Sequence, residues 1–345
     1  MVYRGVDISI IHKLLNSPEP SIRYKTRVLL LDESKNSARN KKLRREIKRS
    51  TRVRSLLKNR NTKGQLEPVK HVYKKWQGAH WVVARLADIG YPEGDEDLLP
   101  MISQLFDLWL SPTFVHEVIR DVEQPAYKDK AVPIMQGRAR RCASQQGNAL
   151  FSALALGFSN EHTEQLAALL MKWQWPDGGW NCDRRPAAHH SSFWESLIPL
   201  RALSLYAKKQ RSQKAQDAVI KASELFLKKR LFKRESNGKV MNEEFMKLHY
   251  PRYWRYDVLF GLKVMAEAGF IGDKRCQNAL DFLEEKRLPD GGWPAEARFY
   301  QNTDEKKSNY DLVDWGGVSK RRYNEWVTVD ALYVLKEAGR LRETT

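Results

Sequence analysis

Thiolates and imidazole are the ligands zinc takes, at roughly 2.3 and 2.0–2.1 Å. The chain offers them at Cys142 and His190, each ahead of an apolar-periodic stretch, and at Cys182, just past the turn QWPDGGW. Three such ligands leave a fourth position for water or substrate, the arrangement of a catalytic zinc. His189 adjoins His190 and is the alternative ligand, and Asp183 could complete the set or serve in catalysis. The plain alternative is that each cysteine is a small buried hydrophobe and that the histidine only caps a helix. Cys276, inside RCQNALDFLEEKR, reads that way.

A second cluster lies in HYPRYWRYDVLFGL, residues 249–262. Asp257 opens a helix pattern there, and it reads either as the N-terminal cap or as a general acid or base assisted by Tyr256. In the catalytic reading Tyr253, Trp254 and Trp180 form an aromatic platform, while Arg252 and Arg255 stack on a base and pair with phosphate.

The elements that must position these groups are helical. KHVYKKWQGAHWVVARLADIGY, GNALFSALALGF, SSFWESLIPLRALSLYAKK and YDVLFGLKVMAEAGF carry apolar residues at i, i+3, i+4, and several stop at glycine. No alternating run makes a convincing strand, so the expected class is all-α. A repeat underlies the pattern. QWPDGGW at 174–180 recurs as RLPDGGW at 287–293, with a degenerate copy, RNTKGQL, at 60–66. A fixed period with helices on both sides means stacked helical hairpins, and five or six of them in 345 residues are enough to close a ring.

This Gln-x-x-Asp-Gly-Gly-Trp pattern resembles the QW-type repeat of the squalene cyclase and protein prenyltransferase superfamily. Supporting matches are PSIRYKTRVLLLD at 20–32, YKKWQGAHWVVARLADIGY at 73–91, Cys142 with Gly147 and Asn148, DGGWNCDRRP with HSSF at 177–193, YPRYWRYDVLFGL at 250–262 and LPDGGWP at 288–294. The resemblance is nearest to bacterial squalene-cyclase-like proteins and implies a single α/α toroid over 1–345 around a central cavity. In a toroid, Cys142, Cys182 and His190 fall at successive junctions into inner helices and could converge. Protein prenyltransferases and lanthionine cyclases carry zinc on Cys and His, similar in ligand type though not in spacing. The Asp-x-Asp-Asp acid of squalene–hopene cyclases does not occur; Asp95-Glu96-Asp97 is the nearest acidic string. Polycyclisation of squalene is therefore not expected.

Charge narrows the substrate. The net charge is +18, and residues 35–63 hold 13 basic residues against Glu46 alone. Leu43, Ile47, Val53, Leu56 and Leu57 supply an apolar stripe, so the segment reads as a basic amphipathic helix. Lys41, Lys42, Arg44, Arg45, Lys48, Arg49, Arg52 and Arg54 would dock a polyanion, with DNA favoured. The bland alternative is a solubility surface. No run is apolar enough to span a membrane, the N-terminus lacks the order of a signal peptide, and three cysteines do not suggest a disulfide scaffold. The expected home is the cytoplasm. The functional expectation is a zinc-binding enzyme on an anionic substrate, such as a DNA glycosylase. An isoprenoid- or thiol-transferring zinc enzyme and a non-catalytic repeat scaffold with structural zinc are the alternatives.

Overall fold

The computed structural model describes residues 8–120, 125–303 and 308–341. Fourteen α-helices lie among them. The first seven are α1 (Ile8–Leu15), α2 (Pro20–Lys25, continued by a π-helical turn Thr26–Leu30), α3 (Ala38–Arg49), α4 (Thr51–Leu56), α5 (Ala79–Asp88), α6 (Leu99–Trp109) and α7 (Pro112–Val115). They are followed by α8 (Ala143–Ala155), α9 (Glu161–Lys172), α10 (Phe193–Gln210), α11 (Gln213–Lys228), α12 (Val258–Ala268), α13 (Gln277–Glu285) and α14 (Glu325–Glu337). Among the described residues, no helix is long and apolar enough to cross a membrane.

Two sequence types of helix build two layers. α5, α8, α12 and α14 are buried almost all round, whereas α3, α9, α11 and α13 bury one face. A helix apolar on every side must sit inside, and an amphipathic one outside. Accordingly α5, α8, α10, α12, α14 and α2 pack in that order as an inner ring, with α6, α9, α11, α13 and α3 against their outer faces. Two contacts tie the ends together. Lys25 of α2 pairs with Asp330 of α14 at 3.2 Å. The ring of Tyr24 lies so close to Gly90, just past α5, that a Cβ there would stand 2.7 Å from it. The class is all-α, an α/α toroid as expected.

The repeat is visible atom by atom. The side chains of Arg60, Gln174 and Arg287 donate to the carbonyl of the glycine four positions on, at 3.2, 2.8 and 3.2 Å. Those glycines, Gly64, Gly178 and Gly291, have φ of 77°, 97° and 85°, where a side chain would be strained. Two residues later the N–H of Leu66, Trp180 and Trp293 is met by Gln104, Ser196 and Thr328 at 2.8, 2.9 and 2.9 Å. Trp180 and Trp293 are buried, and their indoles donate to Leu170 and Leu283 ten residues back. Trp180 is therefore a fold residue. Its expected place on a substrate platform gives way to the packing role.

Two sequence expectations change. A small sheet forms where no strand was expected: β1 (Glu117–Ile119) pairs in parallel with β2 (Val132–Met135), which pairs antiparallel with β3 (Arg138–Ala139). Strands of two to four residues are too short to show alternation. The basic segment is also broken in two. Ser37 caps α3, and Ser50 accepts from the Val53 N–H to start α4. Leu43, Ile47, Val53 and Leu56 are buried as expected. Three of the eight docking candidates are turned to acids of the protein: Arg44 to Glu93, Lys48 to Asp95 and Asp97, and Arg52 to Glu19. Lys41, Lys42, Arg45, Arg49 and Arg54 are exposed.

Candidate metal centre

The tryptophan-bearing turn and the next inner helix together build a three-ligand cluster. Arg140 and Asn181 form a parallel β-bridge, which sets Cys142 beside Cys182. Asp177, in the turn, accepts from the N–H and hydroxyl of Ser191 at 2.7 and 2.6 Å, fixing the start of α10. Ser196 meets the Trp180 N–H, so Glu195, the third residue of α10, faces the cysteines. The Cys142 and Cys182 sulfurs and a Glu195 oxygen all lie within 4.8 Å of one another. The Cys182 thiol donates to Glu195 Oε1 at 3.6 Å. Ligands at about 2.3 and 2.1 Å that subtend a tetrahedral angle at zinc would be about 3.6 Å apart.

The electrostatics of this cluster suit a cation. The hydrogen bond to Cys142, burial and the nearby Glu195 together push the Cys182 thiol well up. Burial likewise raises Glu195, against the N–H of Ser144 that donates to its Oε2 at 3.2 Å. Cys182 and Glu195, acids crowded in low dielectric, hold their protons until a cation replaces them. Ionised, the three ligands carry −3, a divalent ion leaves −1, and the buried Arg141 alongside supplies +1. Burial lowers the Arg141 pKa to about 10, and Tyr73, also beside the cluster, is raised by burial to about 12.

His190 is not part of the cluster. It is exposed, and its carbonyl rather than its ring is held, by Asn181 Nδ2 at 2.8 Å. The loop points the imidazole outward, and Glu195 stands where a third ligand was expected. His189, stacked edge-on against His190 at 5.5 Å, is exposed too. Asp183 is not in the cluster either; Arg185 holds it at 2.5 Å and lowers its pKa to about 2, with Tyr127 also donating to it. Cys276 is buried, as expected of a structural cysteine. Sequence reasoning missed Glu195. The available signal was an acid in the first turn of the helix that follows the cysteine-bearing turn.

The second cluster lies elsewhere and is occupied with structure. Asp257 is fully buried and caps α12, accepting from the N–H groups of Phe260 at 2.6 Å and His249 at 3.0 Å. Burial alone would raise its pKa, but His249 at 2.9 Å and Arg252 hold it below the ordinary carboxylate value. With both oxygens engaged it is a cap, not a proton-transfer group at a cavity mouth. Tyr256 is buried and donates to the Leu231 carbonyl at 2.6 Å. Tyr253 stacks on Trp76 at 3.7 Å and donates to Asp311. Trp254 packs against Trp194, and Arg255 lies over Phe299 at 3.8 Å. Arg252 pairs with Asp330 through Nη1, at 2.6 Å. The expected aromatic platform is packing, because these rings stack on one another in the interior.

No protein-family model matches the chain, and no curated protein matches it. Among solved structures it is similar to the type II terpene cyclase MstE from Scytonema in its apo form. The identity is 15%, covering 84% of this chain and 96% of that one, with a TM-score of 0.28. A variant of MstE in complex with geranylgeranyl dihydroxybenzoate is 16% identical over 84% and 95% of the two chains, with a TM-score of 0.26.

Proposed function

We propose that the protein is a metal-dependent enzyme whose centre is Cys142, Cys182 and Glu195, with zinc as the ion. The observation that carries this is the convergence of three acidic ligand atoms within 4.8 Å, drawn from three separate chain segments. Thiolates select zinc over the harder magnesium and calcium. A zinc ion there would supply Lewis acidity and a fourth position open to substrate. The chain's own groups do the rest. Ser144 N–H orients Glu195, Asp177 and Ser196 fix the loop against α10, and Arg141 balances the charge. The net charge of +18 favours an anionic substrate.

The test is metal analysis of the purified chain, followed by turnover assays on anionic substrates. About one zinc per chain is expected, lost in Cys182→Ser. A chain purified without chelators that carries no metal and takes up none from zinc-supplemented buffer would sink the reading.

A second reading, docking of nucleic acid on α3 and α4, is favoured by the five exposed cations Lys41, Lys42, Arg45, Arg49 and Arg54. In it, base-processing chemistry such as a DNA glycosylase's would need an extruded base to reach the centre, which alkali-revealed strand scission would detect.

A further inference from the structure

The far end of the ring holds a cavity with the opposite charge demand. It measures about 500 Å³ and is lined by the C-terminal parts of α2, α5, α8, α10, α12 and α14. Glu195 and Lys208 are thirteen residues apart on α10, so the cavity mouth is about 20 Å from the metal centre at 1.5 Å per residue. Seven lysines and arginines line it against Asp88, Glu93 and Glu267. Part of the wall is apolar, from Val28, Leu29, Phe151 and Leu205.

Some of this charge is accounted for inside the protein. Asp330 binds Lys25, Lys263 and Arg252, and Glu267 binds Arg201 at 2.6 Å. Lys208 and Lys209, in the last turn of α10, also complement a helix C-terminus. The floor is different. A narrower annex of about 20 Å³, sharing Asp88, Phe151 and Arg201 with the cavity, is lined by Arg85 and Arg252. Arg85 is 6% exposed and Arg252 4%. Arg85 Nε lacks a hydrogen-bond partner, and so do Nε and Nη2 of Arg252. Arg85 also lies over the Tyr253 ring, at 5.1 Å, and, against the effect of burial, it acts with Lys25 and Arg201 to hold the Asp88 carboxyl well below its ordinary pKa. A helix dipole can balance charge, but it cannot accept these hydrogen bonds, and buried guanidinium donors left unpaired are costly. Asp88 balances charge here without accepting these bonds. One oxygen of an oxyanion would accept them, since the annex has room for about one water-sized group and guanidinium matches carboxylate and phosphate oxygens.

We propose that this cavity binds a small anionic amphiphile, a carboxylate or phosphate monoester, with its head at Arg85 and Arg252 and its carbon chain against Phe151 and Leu205. The cationic mouth, with Lys35, Lys208 and Lys209, draws the head in, and the apolar wall selects an alkyl chain over a bare ion. The site is independent of the metal centre.

The test is isothermal titration calorimetry of the full chain with octyl phosphate, octanoate and the neutral octanol. At least one of the two anions binds one per chain, and octanol binds at least tenfold more weakly. Octyl phosphate ahead of octanoate assigns a phosphate head, and the reverse assigns a carboxylate. Arg85→Met weakens binding at least tenfold, and so does Leu205→Trp, which crowds the wall against which the carbon chain lies. Leu205→Trp decides the matter even if Arg85→Met fails to fold by circular dichroism. The zinc content of each variant stays that of the parent, so a failure here leaves the metal reading standing. Failure of both anions to bind, octanol binding as well as they do, or undiminished binding in Leu205→Trp overturns the proposal.

Discussion

The two ends of the ring make opposite electrostatic demands on the same inner helices. At the N-terminal end, Cys142 caps α8 and Glu195 sits in the first turn of α10, so acidic groups meet the positive ends of the helix dipoles. At the C-terminal end, Lys208 and Lys209 close α10 and further cations line the cavity. In the two proposals made above, one end takes a cation and the other an anion. The toroid thus sorts ionisable groups by helix polarity.

The sharpest way to break this comparison is at the metal centre. Cys142→Ser and Cys182→Ser should each take the zinc content from about one per chain to near zero, and Glu195→Gln should weaken zinc binding at least tenfold. His190→Ala and Cys276→Ala should leave the metal in place. Mass spectrometric metal analysis reads all five. Metal loss in His190→Ala with retention in Glu195→Gln would restore the histidine as ligand.

Next in size is the ion network under the cavity. Asp330→Asn leaves Lys25, Arg252 and Lys263 without their shared carboxylate and should cost about 3–5 kcal/mol in urea unfolding.

The two ends should also fail in different pH windows. Burial lowers the His80 pKa from 6.5 to about 3; the ring sits between Trp109 Nε1 and Asn148 Nδ2. The unfolded chain therefore binds this proton first, and stability falls as pH drops from about 6.5 towards 3. Asp330 would be raised by burial, but Lys25, Lys263 and Arg252 hold it well below 3.8. Its contribution is complete above 3.8 and is lost only at lower pH. Urea midpoints measured against pH should lose the upper slope in His80→Asn and keep it in Asp330→Asn.

Smaller effects separate the turn copies. A Cβ on Gly178 would come 2.2 Å from the Lys221 carbonyl, whereas on Gly64 it would meet the Pro100 side chain at 3.0 Å. Gly178→Ala should cost roughly 1–3 kcal/mol more than Gly64→Ala. Smallest for the fold is the outer surface. Gln in place of Lys41, Lys42 and Arg45 should leave stability unchanged. If α3 docks DNA, the change should lower affinity and reduce the salt slope by roughly 2–3. An unchanged slope removes the nucleic-acid reading.

How much of this was readable before folding depends on the range of the interaction. The turn repeat was legible even in its degenerate copy, because glycine at positive φ and a side chain reaching its carbonyl are local requirements. The inner and outer helices were legible as helices from their apolar spacing, and the cysteines stood out by type. Glu195 was not legible as a ligand, since its direction depends on how Ser196 locks to Trp180 across a turn. Nor was the fate of Asp257, where a cap and a catalytic acid look alike in sequence until burial and two backbone N–H donors decide.

The sequence by itself determined a ring of helical hairpins, because helix periodicity and glycine turns act within a few residues. Only the tertiary structure decided which charges are answered. Asp330 gathers cations from positions 25, 252 and 263, and Arg85 and Arg252 meet at one annex from different segments. Whether a buried charge finds a partner is a property of the closed ring, since the partner lies across it and far away in the chain.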